Sequence, residues 1–482
     1  MRALLMLLVF LHVGVHTHGQ SLRNGDFALR CDTCKTGLAG WDLSWAGRGV
    51  TCVADREALI IRCQDSADAV GFVEQAVEIP EVKDPVIVSV RAMASTTALT
   101  GKGASLNIAC YDADDGFLTN KDFGIFPFMW VHGTHAPEPW TMKLVLPSGT
   151  TTVKVGALVN GRGEARFDDM AVSFIGQSGR VPDKNAIAYV NAACDSIRLH
   201  AVYKDSVDIN ALREAARKLA GGENDPVDHH LAVEYLLHAL GDHHSFLMTR
   251  EQHSAWAKES GPDAVAFPSH RIIEGCGHVS VPGFFSGDSL TMVAFADSLQ
   301  RALEKMAAQG IKGWIVDLRQ NGGGNMAPMV CGLGPLFDPG VLGTLTDVRG
   351  TVQRWSYRDG IYAWDDQPSL RVAEPVSLPR KLPIAVLTSS QTGSSGECTT
   401  ISFIGNSHTR SFGQATMGLT TGNGEFELPD GARMFMSSTI MGDRNGKLFH
   451  GPIAPDEPVE QPADWSYDAA LDAALKWIGA QH

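Results

Sequence analysis

Two short, largely apolar runs, each leading straight into a glycine-bearing turn, constrain this chain more than any other feature. Trp314–Leu318 runs into Gly322-Gly323-Gly324, and Ile384–Leu387 runs into Thr392-Gly393-Ser394-Ser395-Gly396-Glu397. Apolar runs this short, without polar alternation, suit strands covered on both faces, which occur in parallel sheets flanked by helices. The neighbouring segments supply the helices. Leu290–Gln309 is amphipathic and stopped by Gly310, a helix is expected from Ser394 onward, and Ser466–Ile478 turns Leu471, Leu475 and Ile478 inward as a closing helix. Strand, loop and helix, repeated, predict a crossover α/β domain over residues 263–482.

The chain upstream has a different texture. At 482 residues there is room for more than one core. Residues 20–178 read as an all-β sandwich, with short alternating runs such as Val86–Val90 and Thr152–Val155 between Gly, Asp and Asn turn clusters. Residues 179–262 read as a helical lead-in. Ile209, Leu212, Ala216 and Leu219 recur at helical spacing between Asp208 and Gly221, and Ala232, Tyr235, Leu236, Ala239 and Leu240 share a face before Gly241. Residues 1–19 have the charge order of an export signal: Arg2, an apolar run Ala3–Val15, and small residues at Thr17 and Gly19. The run is too short to span a bilayer, and no later segment is apolar enough, so a periplasmic or secreted protein without a membrane span is expected. The nine cysteines fit that compartment, with Cys31–Cys34 and Cys52–Cys63 as candidate local disulfides and Cys398 as a candidate free thiol. A formal charge of -14 argues against nucleic acid as a partner.

The ends of the β region, Asn24-Gly25-Asp26-Phe27, Gly40-Trp41 and Phe167-Asp168-Asp169-Met170, resemble those of galactose-binding-like jelly rolls. The resemblance implies an accessory domain. Trp41, Trp45, Phe126, Phe128 and Trp130 have the faces on which a sugar ring stacks, so a carbohydrate partner stands beside the plainer reading that these aromatics are core. Asp112–Gly116 lacks calcium-loop spacing and reads as a hairpin turn.

Acyl-transfer chemistry needs an exposed hydroxyl, a base and donors for an oxyanion. Ser394 stands between a strand and a helix, where a side chain projects from the sheet's carboxyl edge beside unpaired N–H groups. The three glycines after Asp317 can turn further N–H groups toward an anion, although neither a dinucleotide fingerprint nor a P-loop is present. Together Ile315–Gly324 and Thr392–Glu397, followed in order by Phe412–Gly418, Asp430-Gly431 and Ile453–Asp456, resemble the tail-specific (carboxyl-terminal processing) serine peptidase superfamily. The resemblance covers roughly residues 185–480. It implies Ser394 as nucleophile, the N–H groups of Gly323 and Ser395 as oxyanion hole, a peptide or protein substrate and no cofactor.

One departure chooses a branch. Leu419 stands where the processing proteases carry a catalytic Lys, and no Lys lies between Leu382 and Leu428. Leu240-Gly-Asp-His-His-Ser-Phe246 resembles the base segment of the tricorn-core-like branch, which implies His244 as general base. That branch's Ser before the base is His243 here, and its Glu before the Pro-Asp motif is replaced near Phe449 and His450, leaving His243, Asp242 and Asp456 as candidates to orient His244. A metal on His230, Glu234 and His238 is the lesser reading, since H-E-x-x-H is absent. Two further rivals stand: an α/β-hydrolase-type esterase using Ser394, Asp443 and His450, and a non-catalytic binder of apolar ligands with the same fold.

Overall fold

The alternation read in residues 20–178 becomes nine strands among the described residues, in which successive side chains alternate between core and solvent: in β4, Val73, Gln75 and Val77 are buried, while Ala76 and Glu78 are exposed. The computed structural model describes residues 22–481 apart from 56, 65–68, 124–128, 177–180, 222–225, 260–264, 379–380 and 463–466. The segment expected to be an export signal therefore lies outside the described residues, as do Phe126 and Phe128. The strands are β1 (Asp42–Ala46), β2 (Val50–Ala54), β3 (Leu59–Cys63), β4 (Val70–Glu78), β5 (Ile87–Tyr111), β6 (Phe117–Lys121), β7 (Val131–Val145), β8 (Thr152–Asn160) and β9 (Gly163–Ile175). They are ordered β1-β4-β8-β5-β9-β3-β2, with β6 and β7 also on β5. Over Ile87–Thr97 the long β5 pairs with β9, and over Gly103–Tyr111 with β8, turning between the two at Ala98, Gly101 and Gly103, all with positive φ.

Trp41 and Trp130 are buried, and Trp45 is exposed. Asp112–Gly116 is the turn between β5 and β6, where Asp112 Oδ1 accepts from the N–H groups of Asp114 and Gly116. Cys31 and Cys34 form a disulfide, but Cys52 and Cys63 are free and buried, contrary to the second expected bridge. The register explains this: Cys52 faces Ile61, and Cys63 faces Val50. The two cysteines are diagonal rather than directly opposed, a placement whose Cα atoms stand roughly 7–8 Å apart, beyond the usual span of a disulfide.

Helices α1 (Lys184–His200), α2 (Ile209–Ala220) and α3 (Pro226–Ala239) follow. The chain divides into two compact units. The first runs to Asn191 and includes Asn210–Tyr235; the second holds Ala192–Ile209 and Leu236–His482. In the first unit, Asp228 and Glu234 of α3 pair with Lys143 and Lys121. Glu234 is thereby taken up in an ion pair, and no cluster of three or more metal-ligand side chains occurs among the described residues.

The second unit contains β10 (Phe246–Met248), α4 (Arg250–Glu259), β11 (Ser269–Ile273), β12 (Cys276–Ser280), α5 (Ser289–Ala307), β13 (Trp314–Asp317) and α6 (Met326–Leu333). Then come β14 (Gly340–Asp347), β15 (Val352–Arg358), β16 (Ile361–Trp364), β17 (Gln367–Arg371), β18 (Ile384–Thr388), α7 (Ser395–Phe403), β19 (Thr409–Gly413), β20 (Thr421–Glu427), β21 (Arg433–Asp443), β22 (Glu457–Pro458) and α8 (Ala469–Gly479). One sheet runs β11-β12-β13-β18-β19-β22 and is parallel from β12 onward. As their composition requires, β13 and β18 are buried throughout. A second sheet, β10-β21-β14-β15-β16-β17 with β20 on β21, is antiparallel and was not foreseen. Apolar side chains of α5, α6 and α7 join both sheets in one core. The closing helix differs in its facing: Ala470, Ala474 and Ile478 are buried, and Leu471 and Leu475 lie at the edge of the contact, because close approach to β18 and β19 favours alanine.

Candidate active site

Ser394 caps α7, and its backbone conformation is the first unusual feature. Its φ is 51° and its ψ is -118°, a region a non-glycine residue enters at a cost of about 1–3 kcal/mol. The neighbourhood holds it there. Glu397 Oε2 accepts from the Ser394 N–H at 2.8 Å, and the Gly393 N–H donates to Asn321 O at 3.0 Å. Thr392 Oγ1 donates to Leu318 O at 2.9 Å and accepts from the Ser389 N–H, while Ser389 Oγ donates to Arg319 O at 2.6 Å. The turn after β18 is thus bolted to the loop after β13. Gly396 is needed in this arrangement, since a Cβ there would stand 2.3 Å from Asn321 O.

Glu397 is fully buried and ties the serine turn to a third segment. Its Oε1 accepts from Thr416 Oγ1 at 2.6 Å and from the Gly418 N–H at 2.8 Å. Burial pushes its carboxyl up from the ordinary range, against the downward pull of the bonds from Thr416, Gly418 and Ser394.

His244 arrives from the opposite direction in sequence. Beyond α3 the backbone reverses through Gly241 (φ 71°) and His243 (φ 51°). Asp242 Oδ1 then accepts from the N–H groups of His244 and Ser245, and its Oδ2 accepts from Ser245 Oγ at 2.6 Å. Strand β10, which follows directly, pairs with β21 and fixes the segment. The half-buried ring spans two hydroxyls, with Nε2 3.0 Å from Ser394 Oγ and Nδ1 2.7 Å from Thr421 Oγ1. Burial pushes the imidazole down to about 4, Asp242 pulling the other way.

The three glycines lie against this pair. Gly323 has φ 113°, and a Cβ there would approach Ser394 Cβ to 2.9 Å and the Ser395 nitrogen to 3.1 Å, so the loop closes on the serine turn only without a side chain. Ser395 Oγ donates to Gly324 O at 2.5 Å. Among the described residues nothing accepts from the Ser395 N–H, which remains available at the helix start. The Gly323 N–H differs from expectation: it donates to Asn321 Oδ1 at 3.0 Å. Of the two expected oxyanion donors, only Ser395 is therefore unengaged.

The candidates for orienting His244 fall elsewhere. His243 is exposed, Asp456 is exposed and accepts from Ser411 N–H and Oγ, and Asp242 holds backbone and Ser245. None of the three reaches Nδ1; Thr421 does. Asp443 accepts from the N–H groups of Asn445 and Lys447, and His450 is exposed, so the esterase-type set is not assembled on Ser394. Sequence reading passed over Thr421, Asn423, Ser437 and Asn321. For Thr421, two places beyond the position where a Lys was sought, the signal was the run Thr420-Thr421-Gly422-Asn423, without an apolar side chain, entering a strand.

Residues 275–459 match the model of peptidase family S41. A nisin-resistance protein of Lactococcus lactis subsp. lactis is 31% identical over 204 residues, which is 42% of this chain and 60% of that one. A carboxyl-terminal-processing protease of Synechocystis sp. is 26% identical over 291 residues, 58% of this chain and 60% of its own. The chain thus spans about 60% of the length of the curated relatives it matches. A lipoprotein from Streptococcus agalactiae shares the fold over 63% of this chain and 99% of its own, at 24% identity and a TM-score of 0.52. The resemblance to tail-specific peptidases is borne out as a similarity: a sheet-rich N-terminal region precedes the stretch, residues 275–459, that matches the peptidase family S41 model. Ser394, Thr421, Asn423 and Ser437 lie within the matched stretch, and His244 precedes it.

Proposed function

We propose that this protein is an exported serine peptidase in which Ser394 is the nucleophile and His244 the general base. The observation that carries the reading is the 3.0 Å approach of Ser394 Oγ to a His244 ring whose other nitrogen is already engaged. Ser394 Oγ attacks the carbonyl of the scissile bond as His244 Nε2 takes its proton. The oxyanion forms toward the Ser395 N–H, with the Gly323 N–H joining if substrate displaces Asn321 Oδ1. The imidazolium returns the proton to the departing amine, and water, deprotonated by the same ring, releases the acyl group. A peptide substrate is in keeping with a family S41 domain and with the processing protease among its relatives. The export reading rests on residues 1–19 and agrees with the Cys31–Cys34 disulfide. The N-terminal unit is read as a β-sandwich of galactose-binding-like kind, an accessory to the peptidase. Its one exposed tryptophan among those named, Trp45, is the place where a carbohydrate would stack.

Fluorophosphonate labelling with the adduct mapped by mass spectrometry tests the assignment. Wild-type protein should be modified at Ser394 and Ser394→Ala not at all. Ser395→Ala keeps the backbone donor and loses only the bond to Gly324 O, so it should label within about tenfold of wild type. An adduct on Ser395, or none on wild type, overturns the reading.

A further inference from the structure

We propose that Asn423, acting through the hydroxyls of Ser437 and Thr421, sets the tautomer of His244 and fills the place an orienting carboxylate would otherwise take. The inference rests on the reading of His244 as base to Ser394. Asn423 Nδ2 donates to the backbone carbonyl of His244 at 2.9 Å, and an amide nitrogen can only donate. That leaves Oδ1 as an acceptor, and Ser437 Oγ donates to it at 3.3 Å. Ser437 Oγ has then spent its proton, so at the 2.8 Å contact with Thr421 Oγ1 the threonine is the donor. Thr421 Oγ1 in turn can only accept at its 2.7 Å contact with His244, which places the ring proton on Nδ1. Nε2 is left with its lone pair toward Ser394 Oγ.

The backbone holds each member. The pairing of β20 with β21 slips between Gly422 and Asn423, which brings Asn423 opposite Ser437. Ser437 is also pinned through its N–H on Ser245 Oγ and its carbonyl on the Val202 N–H. Thr421 and Ser437 are 4% and 1% exposed, so water does not compete for their hydroxyls. No member of the relay is charged. The nearby carboxylates are spent otherwise: Asp242 on the N–H groups of His244 and Ser245, and Glu397 of α7 on Ser394, Thr416 and Gly418. Dipoles alone face the imidazolium across Nδ1, in line with the downward shift of this ring.

The test combines the rate of fluorophosphonate labelling with the ring-nitrogen NMR shifts of His244, assigned by difference against His244→Gln. Wild type should show the Nδ1–H tautomer and label at Ser394. Thr421→Val should slow labelling ten- to hundredfold, short of the roughly 10⁴-fold loss that accompanies a fully inverted tautomer. Thr421→Ser should recover most of that loss. Ser437→Ala frees the Thr421 proton to turn toward the ring, so the Nε2–H tautomer should appear in its spectrum, a change that packing loss alone does not make. An unchanged tautomer in Ser437→Ala, or wild-type labelling rates in Thr421→Val, overturns the relay while leaving Ser394 and His244 in place. Absence of any Ser394 adduct in wild type sinks the underlying catalytic reading instead.

Discussion

Burial holds the His244 imidazole down to about 4, so the ring is neutral across the range in which an unperturbed histidine, near 6.5, takes up its proton. A general base works only when neutral. The Ser394 labelling rate should therefore be flat from about pH 8 to pH 5 and fall as pH drops through about 4. The same shift bears on stability: the unfolded chain binds the proton first, so folded protein loses stability as pH falls from about 6.5 toward 4. Rates measured over short exposures keep the two effects apart. A labelling limb centred near 6.5 would mean that His244 is more hydrated, or better paired, than its surroundings indicate. Ser394 and His244 were legible in sequence because each sits in a compact local motif, beside Glu397 or after a helix stop. Thr421, Asn423 and Ser437 were not. They meet His244 across 177 or more residues of intervening chain, and a lone threonine in a strand carries no local mark of its partner.

Among the elements, the ends of β13 and β18 decide where the site can form, and Arg319 ties the first of them down. Its guanidinium donates to both oxygens of Asp317 and to both oxygens of Asp468, the residue that caps α8 through the Leu471 N–H. Although burial works upward on Asp317, the His278 ring 3.4 Å away and the bonds from Arg319 hold its carboxyl well below the usual range. Removing the cation strands Asp317, whose side chain is only 11% exposed, so Arg319→Met should cost about 3 kcal/mol. The check is a urea unfolding midpoint that falls with the slope unchanged. A shift under about 0.5 kcal/mol would mean that the pair is no better than a surface contact. The parallel sheet was readable because buried strands followed by glycine turns are marked within a few residues. The antiparallel sheet was not, since its defining pairs, such as Phe246 with Phe435, join distant segments whose own alternation is short and mixed.

At the scale of the whole molecule, the helical lead-in expected as one block over 179–262 divides between the two units. Asn210–Tyr235 groups with the nine-stranded sheet, and Leu236 onward groups with the stretch that matches peptidase family S41. Helix α3 crosses that division and ends a few residues before His244. Within the first unit its polar side is held by the β strands: Asp228, 5% exposed, takes Lys143 from β7, and Glu234 takes Lys121 from β6. Leu231, Ala232 and Val233 are buried in the same stretch. A chain cut to residues 179–482 keeps every proposed catalytic residue yet removes both lysines, leaving a buried carboxylate without its partner and the first half of α3 without its strands. The fragment should therefore melt several degrees below the full chain and label at Ser394 more slowly, because the segment that presents His244 grows out of a frayed helix. Restoring the chain from residue 20 should recover both properties. Equal melting and equal labelling in the fragment would mean that the second unit folds and positions His244 by itself, and that residues 20–178 are a detachable accessory after all.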